Sequence, residues 1–421
     1  MVNTRMKFDC LVLGAGIIGV SVAAHLQKRG RAVALVDVKC PGSETSFGNA
    51  GLIQREGVYP YAFPRDWTLL AKYAFNRSPE VHYHWQDLVK LAPFLWKYWF
   101  YSKPSRHADI ARNYATLIEH SVREHHALAD SAGCRDALKS GGWLKLFRTA
   151  KRQDNEVRFS EHLRAEFGVQ FDALDAAALQ RLEPHLNLSL QGALRYGGAE
   201  TVSDPGALVS GYAAYFKQLG GRFFLGDAFS LSEGWQMQAE AGIIRADSVV
   251  ICLGPWSQTL CARLGYRFPL AVKRGYHMHY GKEEGAFLHH PVLDVERGYL
   301  LAPMTQGIRL TTGAEFARLD AQRTPRQLNA VEPIARQLFP IKDRLEASPW
   351  MGSRPCTPDM LPIIGPAPRH AGLWLAFGHG HHGLTLGPVT GRLLAEMLTG
   401  EELLLDPAPF SPQRFCNTND H

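Results

Sequence analysis

The chain of 421 residues lacks paired cysteines, because its seven cysteines are scattered and none of them forms a C-x-x-C pair. An odd and scattered set argues against a disulfide framework, a zinc ribbon and an iron–sulfur site, and it fits a reducing compartment. Charge of one sign is also scarce: 46 Lys and Arg against 40 Asp and Glu leave a net charge of +6, without any block of like charges. Nucleic-acid binding therefore has little support.

Long apolar runs are missing too, since no stretch approaches about 18 uninterrupted apolar residues and no transmembrane helix is predicted. The run at residues 8–13 is too short for a signal peptide and is ended by Gly14. We therefore expect no export and a cytoplasmic protein. The 46% hydrophobic content is enough to bury two cores, and the length predicts two domains.

The order of the sequence patterns predicts an α/β protein. A strand-like run, a glycine turn, a helical pattern over 17–29 and a second apolar run over 32–36 form a βαβ unit. Residues 141–147 alternate as a strand, and 325–338 have a helical pattern. We expect a Rossmann-like dinucleotide-binding domain formed by 1–60, 151–260 and 351–421. It is interleaved with a smaller mixed-sheet (α+β) substrate-binding domain formed by 61–150 and 261–350.

The turn of this βαβ unit, Gly14-Ala15-Gly16-Ile17-Ile18-Gly19, matches the G-x-G-x-x-G dinucleotide fingerprint. The first glycine allows the tight turn, the second lets backbone approach a pyrophosphate, and the third allows the helix to pack closely on the strand. Asp37 ends the second strand, where a carboxylate accepts hydrogen bonds from ribose hydroxyls. An acid there disfavours a 2′-phosphate, so FAD or NAD is favoured over NADP.

The segment that follows, residues 42–51, is rich in small and hydroxylated side chains. Such a segment suits a backbone that lies against phosphates and the edge of an isoalloxazine ring. Taken without its neighbours, it is more typical of an ordinary polar loop.

With these segments and several later ones, the sequence resembles the D-amino-acid oxidase superfamily of FAD enzymes, and within it most of all bacterial D-amino-acid dehydrogenases. The motifs that carry the resemblance occur in family order over the whole chain, at 12–20, 46–51, 141–149, 252–257, 352–365 and 378–388. The resemblance implies FAD as the cofactor. It also implies oxidation of a C–N bond beside a carboxylate, by hydride transfer from Cα to flavin N5, followed by hydrolysis of the imino acid.

The resemblance also implies which residues contact the cofactor. They lie in the glycine turn, the following loop, the 252–257 segment and the C-terminal turn: Gly14, Gly16, Ile17, Ile18, Gly19, Asp37, Thr45, Ser46, Asn49, Ala50, Gly51, Gly254, Trp256, Gly380, His381, Gly383, Leu384 and Thr385. The C-terminal turn precedes a helix whose N-terminal N–H groups would face the flavin O2 edge and stabilise negative charge there.

Three residues are predicted to act on the substrate. Arg354 matches the family's arginine that binds the substrate carboxylate, a role that needs a planar guanidinium making two parallel hydrogen bonds. Tyr276, with the neighbouring His277, matches positions that face the substrate. His382 belongs to a histidine-rich turn that departs from the family pattern, and its polarity suits a hydroxylated substrate such as a D-hydroxyproline. No acid or cysteine accompanies these histidines at ligand spacing, so we predict no metal site.

The pattern over 85–99 has apolar residues at helical spacing, interrupted by Pro93. The helix either packs on the neighbouring domain or meets lipid or quinone at a membrane, since D-amino-acid dehydrogenases pass electrons to a respiratory chain. The leading hypothesis is an FAD-dependent dehydrogenase of a free D-amino or cyclic D-imino acid, such as D-proline, with a quinone or another carrier as electron acceptor. Alternatives are an oxygen-using oxidase of glycine, sarcosine or another N-alkyl amino acid, and a non-catalytic FAD-binding subunit.

Overall fold

The computed structural model describes residues 5–76, 78 and 80–416. The α-helices of this part of the chain are α1 (Ile17–Lys28), α2 (Trp67–Ala74), α3 (Trp85–Tyr101), α4 (Pro104–Ser131), α5 (Ala150–Phe167), α6 (Ala176–Leu182), α7 (Pro205–Gln218), α8 (Ser257–Arg263), α9 (Arg326–Leu338) and α10 (Gly383–Thr399). The strands are β1 (Arg5–Leu13), β2 (Val33–Asp37), β3 (Leu52–Ile53), β4 (Val81–Tyr83), β5 (Leu138–Ser140), β6 (Trp143–Phe147), β7 (Asp172–Asp175), β8 (Gly192–Tyr196), β9 (Glu200–Val202), β10 (Arg222–Leu225), β11 (Gln236–Ala239), β12 (Gly242–Ile251), β13 (Ala271–Lys282), β14 (Val292–Asp294), β15 (Tyr299–Met304), β16 (Gly307–Thr311), β17 (Ala314–Phe316), β18 (Ile341–Arg344), β19 (Trp350–Cys356), β20 (Ile363–Pro366) and β21 (Leu373–Phe377).

The first sheet is built on the predicted βαβ unit. Its order is β10-β2-β1-β12-β21-β20, with β11 beside β12, and the pairs among β10, β2, β1, β12 and β21 are parallel. The apolar run of β1 is fully buried at Leu11, Val12 and Leu13, as a strand covered on both faces requires. The predicted α/β class is thereby confirmed.

Helices α1 and α10 lie side by side on the sheet, and their backbones approach each other closely. A Cβ on Gly387 would lie 2.4 Å from Ile17 Cγ1, and one on Gly391 would lie 2.6 Å from the carbonyl carbon of Ser21. Because the contacts advance in the same direction along both helices, α1 and α10 run parallel. Their N-termini therefore lie at the same end of the sheet, beyond the carboxyl ends of the parallel strands.

The second sheet is eleven-stranded and mostly antiparallel, in the order β4-β17-β13-β16-β15-β14-β6-β8-β7, and β18 and β19 also pair with β13. The long strand β13 is the centre of this sheet. It pairs with β17 and β16 along one edge and with β19 and β18 along the other. A small third sheet, β3-β9-β5, joins the loop after β2 to the rest of the chain.

The observed sheets and helix packing differ from the predicted domain boundaries at three places. Strands β7 and β8 belong to the second sheet, because β8 pairs with both β6 and β7. Helix α4, assigned above to the substrate-binding domain, packs against α10 and contributes Ile118 to the core under α1. Strand β19 pairs with β13 rather than with the first sheet. Residues 1–4, 77, 79 and 417–421 of the predicted division lie outside the described residues.

Residues 242–251 form one long strand, β12, because β1 pairs with it along nearly its whole length. One local prediction differs from the structure. Pro93 does not interrupt α3, which continues through it to Tyr101. A proline inside a helix removes its own N–H and crowds the carbonyl four residues earlier, and the burial of Leu91, Phe94 and Tyr98 opposes that cost. Within the described residues no helix has both the length and the apolar character to cross a membrane.

Candidate functional site

A cavity of about 1090 Å³ lies between the two large sheets. At one end it is lined by residues that follow β1, β2, β12 and β21, among them Gly14, Asp37, Gly254 and Gly378. Ligands of open α/β sheets bind at this edge, outside the carboxyl ends of the parallel strands. At the other end the lining includes Arg354, on the face of β13 and β19.

The glycine turn is shaped for close backbone approach. Gly14 has a φ of +103°, and a Cβ there would lie 2.5 Å from the carbonyl oxygen of Cys252. A Cβ on Gly19 would lie 1.8 Å from the carbonyl oxygen of Gly14, so this glycine allows α1 to pack on the strand, as predicted. Gly16, Ile17 and Ile18 line the cavity. The positive end of α1 therefore faces the cavity, where an anionic pyrophosphate would be stabilised.

Asp37 lies beside this turn, and its carboxylate accepts hydrogen bonds from the backbone N–H of Ala15 at 2.6 Å and of Lys39 at 3.1 Å. Burial raises the pKa of Asp37, although these two hydrogen bonds oppose the rise. The acid thus holds the turn in shape and borders the cavity, where a ribose hydroxyl could reach its remaining lone pairs. These features together fit a dinucleotide.

The loop after β2 supplies the next part of the lining, with Thr45, Ser46, Asn49 and Ala50 all at the cavity. The Ser46 hydroxyl accepts a hydrogen bond from the backbone N–H of Ile17 at 3.0 Å, which anchors the loop to the start of α1. Of the residues predicted to contact the cofactor, Gly19, Gly51 and Thr385 do not line the cavity. The Thr385 hydroxyl instead donates to the Leu52 carbonyl oxygen at 3.2 Å, which ties α10 to β3.

The C-terminal turn brings Gly380, His381, Gly383 and Leu384 to the cavity, and Gly254 and Trp256 lie there as well. The structure places the two adjacent histidines differently from the prediction. His381 faces the cavity, whereas His382 is buried away from it, with Nδ1 2.8 Å from the hydroxyl of Tyr114 on α4. Consecutive residues of a helical turn point in directions about 100° apart, so only one of them can face the cavity. His382 therefore does not border the cavity, where its predicted catalytic role would require it.

The three histidines of this turn have separate environments, since His379 Nε2 lies 3.0 Å from the hydroxyl of Thr390. Burial lowers the pKa of His379 to about 3 and of His382 to about 4. Burial also holds the pKa of His381 well below its usual value, and the charges of Arg354 and Lys273 lower it further. All three rings are therefore neutral near pH 7.

At the other end of the cavity, strand alternation decides which side chains face it. In the antiparallel register Lys273 lies opposite Arg354, and Gly275 lies opposite Gly352. Directly opposite residues share a face of the sheet, and residues two apart in a strand do too. Lys273, Gly275 and Arg354 therefore form one patch, and all three line the cavity.

Arg354 is half-buried, and no ion pair joins it to any carboxylate of the described chain. Among the described residues its guanidinium makes one hydrogen bond, from Nη1 to the carbonyl oxygen of Gly313 at 3.4 Å. A Cβ on Gly275 would lie 2.4 Å from Arg354 Nη2, so the guanidinium occupies the space that this glycine leaves. Burial lowers the pKa of Arg354, yet a guanidinium stays charged at any ordinary pH. The guanidinium thus offers planar N–H donors to an anion in the cavity.

Tyr276 alternates to the other face of β13 from Lys273 and Arg354, although it also borders the cavity. Its hydroxyl donates to Glu315 at 2.9 Å and accepts from the backbone N–H of Thr324 at 2.8 Å. Glu315 also pairs with Arg274, and both side chains of that pair are fully buried. The hydroxyl is thus engaged in a buried ionic network, and the contact of Tyr276 with the substrate stays a prediction. His277 shares the face of Arg354, but its ring stacks on Trp350 with centroids 4.8 Å apart.

Sequence reasoning missed Lys273, although alternation from Gly275 would have placed it beside Arg354. The side chain is buried, and Nζ donates to the hydroxyl of Tyr98 at 2.7 Å and lies 4.0 Å from that ring's centroid. Burial lowers the pKa of Lys273, but the contacts with Tyr98 and Cys356 outweigh burial and raise it. Lys273 is therefore a second buried cation in the cavity wall.

His82 and His84 gather around Glu315 with ligand atoms within 4.8 Å of one another. The guanidinium of Arg274 already neutralises this carboxylate, and its Nη2 lies 3.4 Å from His84 Nε2. A cation would have to enter beside a buried positive charge, which is unfavourable. The network instead stabilises the face of β13 on which Arg274 and Tyr276 lie.

Comparison with known proteins agrees with this geometry. A family model described as FAD dependent oxidoreductase matches residues 9–397. The chain is 30% identical over 419 residues to a D-amino-acid oxidase of Bradyrhizobium diazoefficiens, covering 96% of this chain and 98% of the relative. It is 32% identical to a D-amino acid dehydrogenase of Granulibacter bethesdensis, covering 96% and 99%. A glycine oxidase structure from Geobacillus kaustophilus superposes with a TM-score of 0.70 at 24% identity, covering 96% of this chain and 98% of that one.

Proposed function

Because the chain belongs to the DAO family of FAD-dependent oxidoreductases, we propose that it oxidises the Cα–N bond of a free D-amino acid or cyclic D-imino acid. Cyclic acids such as D-proline and D-hydroxyproline belong to this class. The observation that carries the proposal is the position of Arg354, an unpaired guanidinium in the wall of the same cavity that the glycine turn enters.

The described residues fit FAD. The glycine turn at 14–19 and the start of α1 would hold the pyrophosphate, Asp37 the ribose, and the 45–50 loop and the 380–384 turn the flavin. When bound, FAD supplies an electron-poor ring that accepts hydride. The N-terminus of α10 lies at this end of the cavity, and its N–H groups favour negative charge there.

The chain's own contribution is binding and orientation. Arg354 would hold the substrate carboxylate through two parallel hydrogen bonds, and this fixes Cα relative to the rest of the cavity. Oxidation removes a hydride from Cα and a proton from nitrogen, and water then hydrolyses the C=N bond to a keto acid and an amine. His381 is neutral and lines the cavity, so it can share a hydrogen bond with the substrate nitrogen without competing for its proton.

The electron acceptor in this proposal is a quinone or another carrier. Helices α2 and α3 expose large apolar side chains to solvent, including Trp67, Val89 and Trp96. Such a surface suits contact with a membrane, where quinones dissolve. The alternative is direct reoxidation by molecular oxygen, as the names of the Bradyrhizobium and Geobacillus relatives suggest for those proteins.

The test is anaerobic reduction of the bound flavin, followed as loss of its visible absorption. The panel contains D- and L-amino acids, glycine, sarcosine, D-proline and the D-hydroxyprolines. We expect reduction by D-substrates, and a loss of about a hundredfold or more in kcat/KM for Arg354→Lys, because an ammonium cannot reproduce the planar fork. Arg195→Lys, at a surface arginine paired with Asp172, is the control and should change nothing.

Two results would decide against the proposal. If FAD is bound and no amino acid reduces it, the proposed reaction is wrong. If Arg354→Lys and Arg195→Lys are equally active, Arg354 does not hold the carboxylate. Admitting air to the reduced enzyme separates the acceptors: slow reoxidation supports a carrier, and fast reoxidation supports an oxidase.

A further inference from the structure

Lys273 is a buried cation in the cavity wall, and the proposed reaction does not require a cation there. Its side chain is only 5% exposed, and of the described carboxylates none lies within ion-pair distance of Nζ. A buried ammonium without a counter-ion is costly, and an arginine opposite it on the neighbouring strand adds repulsion. A substrate with a single carboxylate would neutralise Arg354 and leave Lys273 uncompensated.

The glutamates of the cavity wall cannot serve as the missing partner, because each of them pairs with another lysine. Glu80 pairs with Lys72 at 3.0 Å, and Glu156 pairs with Lys145 at 2.5 Å. Glu44, near the glycine turn, pairs with Lys39. The negative charge that matches Lys273 therefore has to come from a molecule in the cavity.

The hydrogen bonds of Lys273 leave room for such a partner. The hydroxyl of Tyr98 donates to the carbonyl oxygen of Tyr61, so it accepts from Lys273 rather than donating to it. One of the three N–H groups of the ammonium is used in this way, and two remain. The rings of Tyr98 and Phe316, with centroids 4.0 and 5.5 Å from Nζ, restrict where the ammonium can lie.

From this arrangement we infer that the substrate carries a second anionic group, which binds Lys273 while its α-carboxylate binds Arg354. The substrate class is thus an amino or imino dicarboxylic acid, such as D-aspartate, D-glutamate or an N-carboxymethyl amino acid. The inference rests on the proposed function and narrows it. Lys273 is a specificity-determining residue, because it touches a part of the substrate that does not react.

Matched substrate pairs test this with the holoenzyme. D-Aspartate and D-asparagine, and likewise D-glutamate and D-glutamine, have nearly equal size and differ in one charge. We expect the acid of each pair to be preferred by about a hundredfold in kcat/KM, as the loss of one buried charge pair implies. Lys273→Met should abolish the preference by slowing only the acids, and Lys273→Arg should keep most of it.

Lys282→Met, an exposed lysine at the end of the same strand β13, is the matched control and should retain the preference. A readout without turnover is the perturbation of the flavin spectrum by succinate and by its monoamide, succinamate. Succinate should bind more tightly to the wild type, and Lys273→Met should remove the difference. This titration depends on bound FAD and not on oxidation.

The outcomes separate the two proposals. If no amino acid reduces the flavin, the proposed function fails and the inference fails with it. Two other results would overturn only the inference. In the first, amino acids reduce the flavin but amides are as good substrates as acids. In the second, D-proline and D-hydroxyproline are preferred and Lys273→Met leaves the order of substrates unchanged. If Lys273→Met does not bind FAD, Lys273→Arg provides the test. An acid preference that Lys273→Arg retains in both the kinetics and the succinate titration supports the inference. Loss of the preference in both contradicts it.

Discussion

Gly275 shows how a single residue without a side chain can shape a binding site. It lies between Lys273 and His277 on the cavity face of β13, and the space of its missing Cβ is filled by the Arg354 guanidinium, with Nη1 and Nη2 both closer than 3.0 Å to the ideal Cβ position. Its backbone has no positive φ, so the glycine is not required by the strand conformation. It is required by the arginine.

Gly275→Ala should therefore weaken substrate binding while leaving the fold intact. The guanidinium is the end of a flexible side chain and can move aside, so we expect a rise of about tenfold or more in KM and an unchanged FAD content. Steady-state kinetics and the flavin-to-protein absorbance ratio measure the two effects. Gly281→Ala, on the same strand, meets nothing nearer than 3.5 Å and is the control. Equal KM values for the two variants would show that Arg354 does not bind substrate where it now lies.

Among the secondary-structure elements, α3 departs most from an ordinary surface helix because it has two apolar faces. Leu91, Phe94 and Tyr98 are buried on one side. Trp85, Val89, Trp96 and Phe100 form a stripe on the opposite side, and each is at least 41% exposed. Val89 and Trp96, which belong to the apolar pattern found in the sequence over 85–99, thus lie on the exposed face. Exposed Lys90 and Lys97 flank this stripe, as on helices that lie on anionic lipid.

The combined substitution Val89→Ser and Trp96→Ser should reduce binding to anionic vesicles. Removing two exposed apolar side chains removes most of the area that would enter the lipid interface, so we expect at least about a tenfold smaller vesicle-bound fraction. Co-sedimentation with phosphatidylglycerol/phosphatidylcholine vesicles measures it. Leu345→Ser, at an apolar residue 53% exposed elsewhere, should bind as the wild type does. A wild-type protein that stays in the supernatant would rule out the membrane contact.

For the whole molecule, four buried histidines predict the pH dependence of stability. Burial lowers the pKa of His125 and His382 to about 4, and of His25 and His379 to about 3, from an ordinary value of 6.5. Below pH 6.5 the unfolded chain takes up protons that the folded chain cannot bind. The stability that these residues contribute is therefore complete above pH 6.5 and is lost as the pH falls toward 4.

His125→Gln should make this loss shallower. His125 Nε2 lies 2.7 Å from the carbonyl oxygen of Leu384, and a glutamine amide can still donate to it but cannot take up a proton in the unfolded chain. Urea unfolding at about pH 7.5 and about pH 5 gives the slope, which should decrease by up to one proton. His289→Gln, at an exposed histidine, is the control for the substitution itself. Identical slopes for all three proteins would contradict the assignment.

The sequence by itself determined the nucleotide half of the molecule. The turn at 14–19, its flanking strands and Asp37 are consecutive in the chain, and their chemistry depends on local backbone conformation, which short-range patterns encode. Arg354 was also predictable, through a motif that resembles the family. The position of Gly19 against Gly14 and the entry of the turn into the cavity agree with that prediction.

Only the tertiary structure decided the substrate half. Which side chains of β13 lie beside Arg354 depends on its pairing with β19, a strand far along the chain, and a shift of one residue would bring Tyr276 there in place of Lys273 or Gly275. The same holds for His381 and His382, whose directions are fixed by the packing of α10 on α1 and α4. Long-range register and packing carry no local signature, and for this reason the second cation beside Arg354 emerged only from the fold.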